Sequence, residues 1–68
     1  MAHGWVHTVW RGGTWVNEVE EEGQSSLHRT KDEAVAVGRD LAQALGAGHV
    51  VHNMDGSVRS RIAPEPED

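Results

Sequence analysis

Residues 30–46, Thr-Lys-Asp-Glu-Ala-Val-Ala-Val-Gly-Arg-Asp-Leu-Ala-Gln-Ala-Leu-Gly, constrain the fold of this chain more than any other stretch. Thr30 stands three residues before Glu33, the spacing of a capping box. In that motif the hydroxyl accepts a backbone N–H of the first turn, and the carboxylate reaches back to the cap. Asp32 and Glu33 lie where the helix dipole favours negative charge. Ala34, Val37, Gly38, Leu41 and Leu45 form one stripe at helical spacing, with Val35 and Ala42 on its edges. Lys31, Arg39, Asp40 and Gln43 fall on the other side. Gly46 is placed to take the left-handed conformation that closes a helix. The pattern predicts an amphipathic helix of about 22 Å, long enough to cover a small sheet.

The flanking segments read as strands. Residues 5–10 and 15–20 are rich in β-branched and aromatic side chains, and Gly12-Gly13 between them suits a tight hairpin. A two-residue loop pairs Trp10 with Trp15, Thr8 with Asn17 and Val6 with Val19, all on one face. Trp5, His7, Val9, Val16, Glu18 and Glu20 take the other. Residues 24–29 can add a short third strand with Leu27 inward. Beyond the helix, residues 49–53 and 58–62 form a hairpin about Asp55-Gly56, with Val51, Val58 and Ile62 on one face. The expected fold class is α+β in two layers: a small antiparallel sheet of hairpin, third strand and second hairpin, packed on one α-helix. Its expected core is Val6, Trp10, Trp15, Val19, Leu27, Ala34, Val37, Leu41, Leu45, Val51, Val58 and Ile62. Residues 1–62 make one domain, and the acidic, proline-broken residues 63–68 are expected to be a disordered tail.

A chain of 68 residues with 37% apolar content supports one modest core. There is no cysteine, which excludes disulfides, thiolate metal sites and cysteine nucleophiles. Eleven acidic residues against six basic give a net charge of −5, the wrong sign for a general nucleic-acid binder. No apolar run reaches the ~18–20 residues of a membrane span. The first residues lack the basic and apolar regions of a signal peptide, so a cytoplasmic location is expected.

Five histidines (His3, His7, His28, His49 and His52) are the most unusual feature. His49 and His52 are three apart, which on a strand sends them to opposite faces. A metal site would need His7 or His3 to meet His52, with Glu18 as a third ligand. Nothing in the spacing requires that, so no metal and no cofactor are expected. The serines lack a nucleophile-elbow context, the glycines serve turns, and the paired glutamates lie in solvated loops. The chain is therefore expected not to be an enzyme.

One helix covers one face of a sheet. The opposite face would then display Trp5, Val9, Val16, Val50 and Met54, an apolar patch of the kind that marks association surfaces. The leading expectation is a non-enzymatic interaction module that self-associates as a homodimer through that face or an edge strand. The alternatives are a regulatory binder of another protein, with Trp5, Arg59 and Arg61 at the contact, and a histidine-based metal-binding domain. Nucleic acid is the less favoured partner by charge.

Val6, the turn before Trp15, the stretch Trp15-Val16-Asn17-Glu18-Val19-Glu20, His28-Arg29-Thr30-Lys31-Asp32-Glu33-Ala34 running into Gly38-Arg39-Asp40-Leu41-Ala42, and Val50-Val51-His52-Asn53 with Asp55-Gly56-Ser57-Val58 together resemble the small bacterial domain of unknown function numbered 2188. The resemblance covers roughly residues 6–61. Where that family continues with a Ser-Tyr-Gly-like segment, this chain has Ile62-Ala63-Pro64. The resemblance implies a bacterial protein of one small α+β domain, and it brings no activity, cofactor or catalytic residue.

Overall fold

The computed structural model describes residues 4–64. In chain order the elements are β1 (Trp5–Arg11), β2 (Thr14–Val19), β3 (Gly23–His28), α1 (Lys31–Leu45), β4 (Gly48–His52) and β5 (Val58–Ile62). His3 and the acidic residues of the expected tail, 65–68, lie outside the described residues.

The helix is bounded by the residues that its sequence signals. Thr30 is the N-cap, its side chain accepting from the Glu33 backbone N–H at 3.2 Å, and Gly46 closes the other end at φ 67°. The return half of the capping box is used differently. Glu33 instead accepts from His28 Nδ1 at 2.8 Å, tying the first helical turn to the end of β3.

The five strands form one mixed sheet in the order β3-β2-β1-β4-β5. This corrects the all-antiparallel expectation, because β1 and β4 are parallel neighbours. The reason is the path of the chain. The strands β2 and β3 occupy one side of β1, and the helix crosses the sheet and delivers β4 to the other side running the same way as β1. A parallel pair requires such a crossover. In the first hairpin Trp10 faces Trp15, Thr8 faces Asn17 and Val6 faces Val19. Between β4 and β5 the connection is wider than an Asp55-Gly56 turn. The Asn53 carbonyl accepts from the Gly56 N–H at 2.9 Å, and a bulge at Arg59 restores the pairing of Val51 with Ser60.

The helix presents small residues to the sheet. Ala34, Gly38 and Ala42 are its buried positions. Ala42 joins Val6, Val19 and Ala47 in the apolar cluster, with Leu41 and Leu45 partly buried against it. Several expected core residues lie elsewhere. Leu27, Val58 and Ile62 are each 57% exposed, Val37 is exposed, and Trp10 is half-buried. Leu27 pairs with Val16 and so points to the face away from the helix. The helix packs against β1, β2, β3 and β4 but does not reach β5, which leaves Ile62 uncovered on that side, while Val58 pairs with His52 and so points to the opposite face.

Candidate functional site

Three arrangements of polar or exposed side chains stand out: a buried network under the helix, a histidine pair on the opposite face, and the uncovered strand β5.

The buried network crosses the sheet. Thr8 Oγ1 donates to Asn17 Oδ1 at 2.6 Å and, with its single proton committed, accepts from His49 Nε2 at 2.8 Å. Asn17 Nδ2 donates to the Ala34 carbonyl at 2.9 Å and to Ser26 Oγ at 3.2 Å. Ser26 Oγ in turn donates to His28 Nε2 at 2.8 Å, and His28 Nδ1 donates to Glu33. Thr8, Asn17 and His49 are almost wholly buried. Among the described residues no buried side-chain polar atom lacks a partner. Burial pushes the His49 imidazole below its ordinary value of 6.5, with the charges of Arg39 and His7 acting the same way. Gly38 makes this possible, since a Cβ there would stand 2.7 Å from Thr8 Oγ1 and 2.8 Å from His49 Nε2. The network holds the helix to four strands. The sequence places Thr8 and Asn17 opposite one another on one face of the hairpin but does not show that His49 joins them. The available signal was polar residues at inward positions facing a helical glycine.

On the other face His7 Nε2 donates to Glu20 Oε2 at 2.8 Å, His7 Nδ1 meets His52 Nε2 at 3.0 Å, and His52 Nδ1 donates to the Gly56 carbonyl at 3.2 Å. These three contacts need three N–H protons, one more than two neutral imidazoles carry. Arg11 makes two bonds to Glu18, each 3.0 Å, and its guanidinium holds the Glu18 carboxyl below the usual range. The groove beside them, about 550 Å³, is lined by His7, Arg11, Glu18, His52 and Met54 among others. Among the described residues no group of three or more His, Asp or Glu side chains converges to hold a metal ion.

This polar layer explains where the expected patch went. Val9, Val16 and Val50 are buried, not displayed. Val9 pairs with Val16, and Arg11 starts two residues beyond Val9 yet ends on Glu18, two beyond Val16. Its stem therefore spans the valine pair, as long cationic side chains do over apolar surface. Trp5 is half-buried, fitted against Gly48, where a side chain would collide with its ring. Arg61 lies over Trp5 at 4.5 Å from the ring centroid, so two of the expected contact residues do come together. Met54, at 62%, and Arg59 are exposed.

The strand left most exposed is β5. All five of its residues are exposed, and it forms one edge of the sheet. No helix among the described residues is long and apolar enough to cross a membrane. No curated protein and no solved structure matches the chain. A family model described as an uncharacterised protein conserved in bacteria, DUF2188, matches residues 6–63.

Proposed function

This chain belongs to DUF2188, a family of uncharacterised bacterial proteins, and from the geometry it presents we propose that it is a non-enzymatic interaction module that self-associates through β5. The observation that carries this reading is the exposure of β5. Val58 and Ile62 each leave 57% of their surface in water, and the helix does not reach the strand. An edge strand offers a row of unpaired backbone N–H and C=O groups, and apolar side chains on it add area that association removes from water. The other edge, β3, is less suited. It carries one exposed apolar side chain, Leu27, against two on β5, and is otherwise polar through Gln24, Ser25 and Ser26, with Ser26 bonded to Asn17 and His28 to Glu33 of the helix. The face opposite the helix supports association less than its composition suggested, because its valines are covered within the monomer.

A pair built on β5 about a two-fold axis sets the strand antiparallel to its copy and closes the assembly at two chains. Sedimentation equilibrium on the intact chain, on Val58→Asp and on Ile62→Asp tests it. Both positions are exposed, so each substitution should change monomer stability by no more than about 0.5 kcal/mol. The expected result is a wild-type dimer, unaffected by a chelator, and variants that remain monomeric. A wild type that stays monomeric at every concentration removes the reading.

A further inference from the structure

On the helix side of the sheet, α1 and β5 leave a groove between them. Its first part, about 390 Å³, is lined by Lys31, Val35, Ala36, Arg39, Val51 and Arg59, with Asp32 and Ser60 at the same walls. Its second part, about 450 Å³, is lined by Arg39, Ala42, Ala47, His49, Ile62 and Ala63 among others. Arg39 lines both, so the two parts lie on either side of it along the helix. In a chain with six basic residues against eleven acidic, three of the six line the first part. Among the described residues, Lys31, Arg39 and Arg59 have no carboxylate within ion-pairing distance; the ion pairs involve His7, Arg11 and His28. The positive end of the helix dipole opens at the same place. The lining combines apolar Val35, Ala36 and Val51 with the cations Arg39 and Arg59, in a chain that is acidic overall.

The chain carries a segment of matching chemistry. Residues 63–68 read Ala-Pro-Glu-Pro-Glu-Asp, with three carboxylates in the last four positions. We propose that this groove receives residues 65–68 of a second copy. The proposal rests on the reading that β5 pairs with itself. In that antiparallel arrangement Ile62 of one copy lies beside Val58 of the other. The six residues that follow can reach about 20 Å when extended, toward the end of the partner's β5 where Arg59 and Arg39 line the groove, with the Lys31 ammonium farther off over the Trp15 ring. Each copy both gives and receives, so the exchange adds no open valence. The charges also account for an oddity of β5. A bulge at Arg59 and two arginines are devices that keep an edge strand from pairing indiscriminately. A partner bringing its own carboxylates meets those charges where an unrelated strand would not.

The test is sedimentation equilibrium of the full chain at low and high ionic strength, with urea denaturation at concentrations where the protein is monomeric. The variants are Glu65→Gln/Glu67→Gln/Asp68→Asn, then Arg59→Glu, then Arg59→Glu combined with Glu65→Lys/Glu67→Lys. All the tail changes lie beyond β5, and the urea denaturation reports whether they alter the monomer. The expected result is a dimer about tenfold weaker for the neutralised tail at low salt, with the difference shrinking at high salt. Arg59→Glu should weaken it similarly, and the charge-swapped variant should recover it. A neutralised tail that dimerises as tightly as wild type overturns the tail contact while leaving β5 pairing in place. A loss of monomer stability with an unchanged dimer constant places the tail in its own chain's groove and also overturns it. A wild type that never dimerises removes this inference together with the β5 reading.

Discussion

The hydroxyl of Thr8 has one proton, and its destination makes a donor of a histidine 41 residues away in sequence. That proton goes to Asn17 Oδ1, so His49 must present Nε2–H to the hydroxyl. Burial disfavours its charged form and lowers its protonation range in the folded protein below the ordinary 6.5. The sign of the linkage follows. Between the folded and unfolded values the unfolded chain binds the extra proton, so stability rises with pH there. This contribution is fully present above about 6.5 and is lost as pH falls below it. Urea denaturation of wild type and His49→Gln from pH 7.5 to pH 5 should therefore give a steeper acid loss for wild type. Parallel curves would show that His49 is not the group responsible. Pairing of Thr8 with Asn17 was legible from the Gly12-Gly13 loop. The role of His49 was not, because nothing local to residue 49 says which strand lies beside it.

At the scale of elements, the helix is the clearest case of local determination. Its ends are set by Thr30 and Gly46 through contacts reaching only four residues. What it touches is another matter. The stripe of Ala34, Val37, Gly38, Leu41 and Leu45 does turn toward the sheet, but its small members, Ala34 and Gly38 with Ala42 from its edge, are the fully buried ones. Leu41 and Leu45 are partly buried and Val37 is exposed. The helix seats closely where Gly38 meets the polar network of Thr8, Asn17 and His49, and the apolar cluster lies beside it under Ala42. This makes a test of Gly38→Ala informative. Alanine should favour an isolated helix by about 1 kcal/mol. Here its Cβ would meet Thr8 Oγ1 at 2.7 Å and His49 Nε2 at 2.8 Å, and overpacking of that kind costs about 1–3 kcal/mol. A net destabilisation in urea is expected, and a more stable variant would contradict the close seating. In the second hairpin the Asp55-Gly56 signal located the reversal but not its width, because the bulge at Arg59 depends on how β5 meets β4.

For the whole molecule, the balance is between a small apolar cluster and a large ordered surface. Its most buried apolar residues are valines and alanines with one tryptophan, Trp15. Domains of this size draw on further stabilisation when they lack disulfides, and association is one source. If β5 joins two copies, the melting temperature should rise with protein concentration, since a dimer is favoured by mass action. Differential scanning calorimetry over a wide concentration range checks this, and a constant melting temperature speaks against pairing. The family was also legible at this scale, because its motifs are spread over nearly the whole chain.

The sequence by itself determined the elements and their order, since caps, turns and strand alternation act between residues a few positions apart. It also determined which side chains share a face within the first hairpin, because a two-glycine loop fixes the register. Only the tertiary structure decided that β1 and β4 are parallel neighbours, that Arg11 and Glu18 cover the valines opposite the helix, and that β5 lies beyond the helix's reach. Each of these depends on the crossover that brings distant strands together, and on how far a single helix of fifteen residues can extend across five strands.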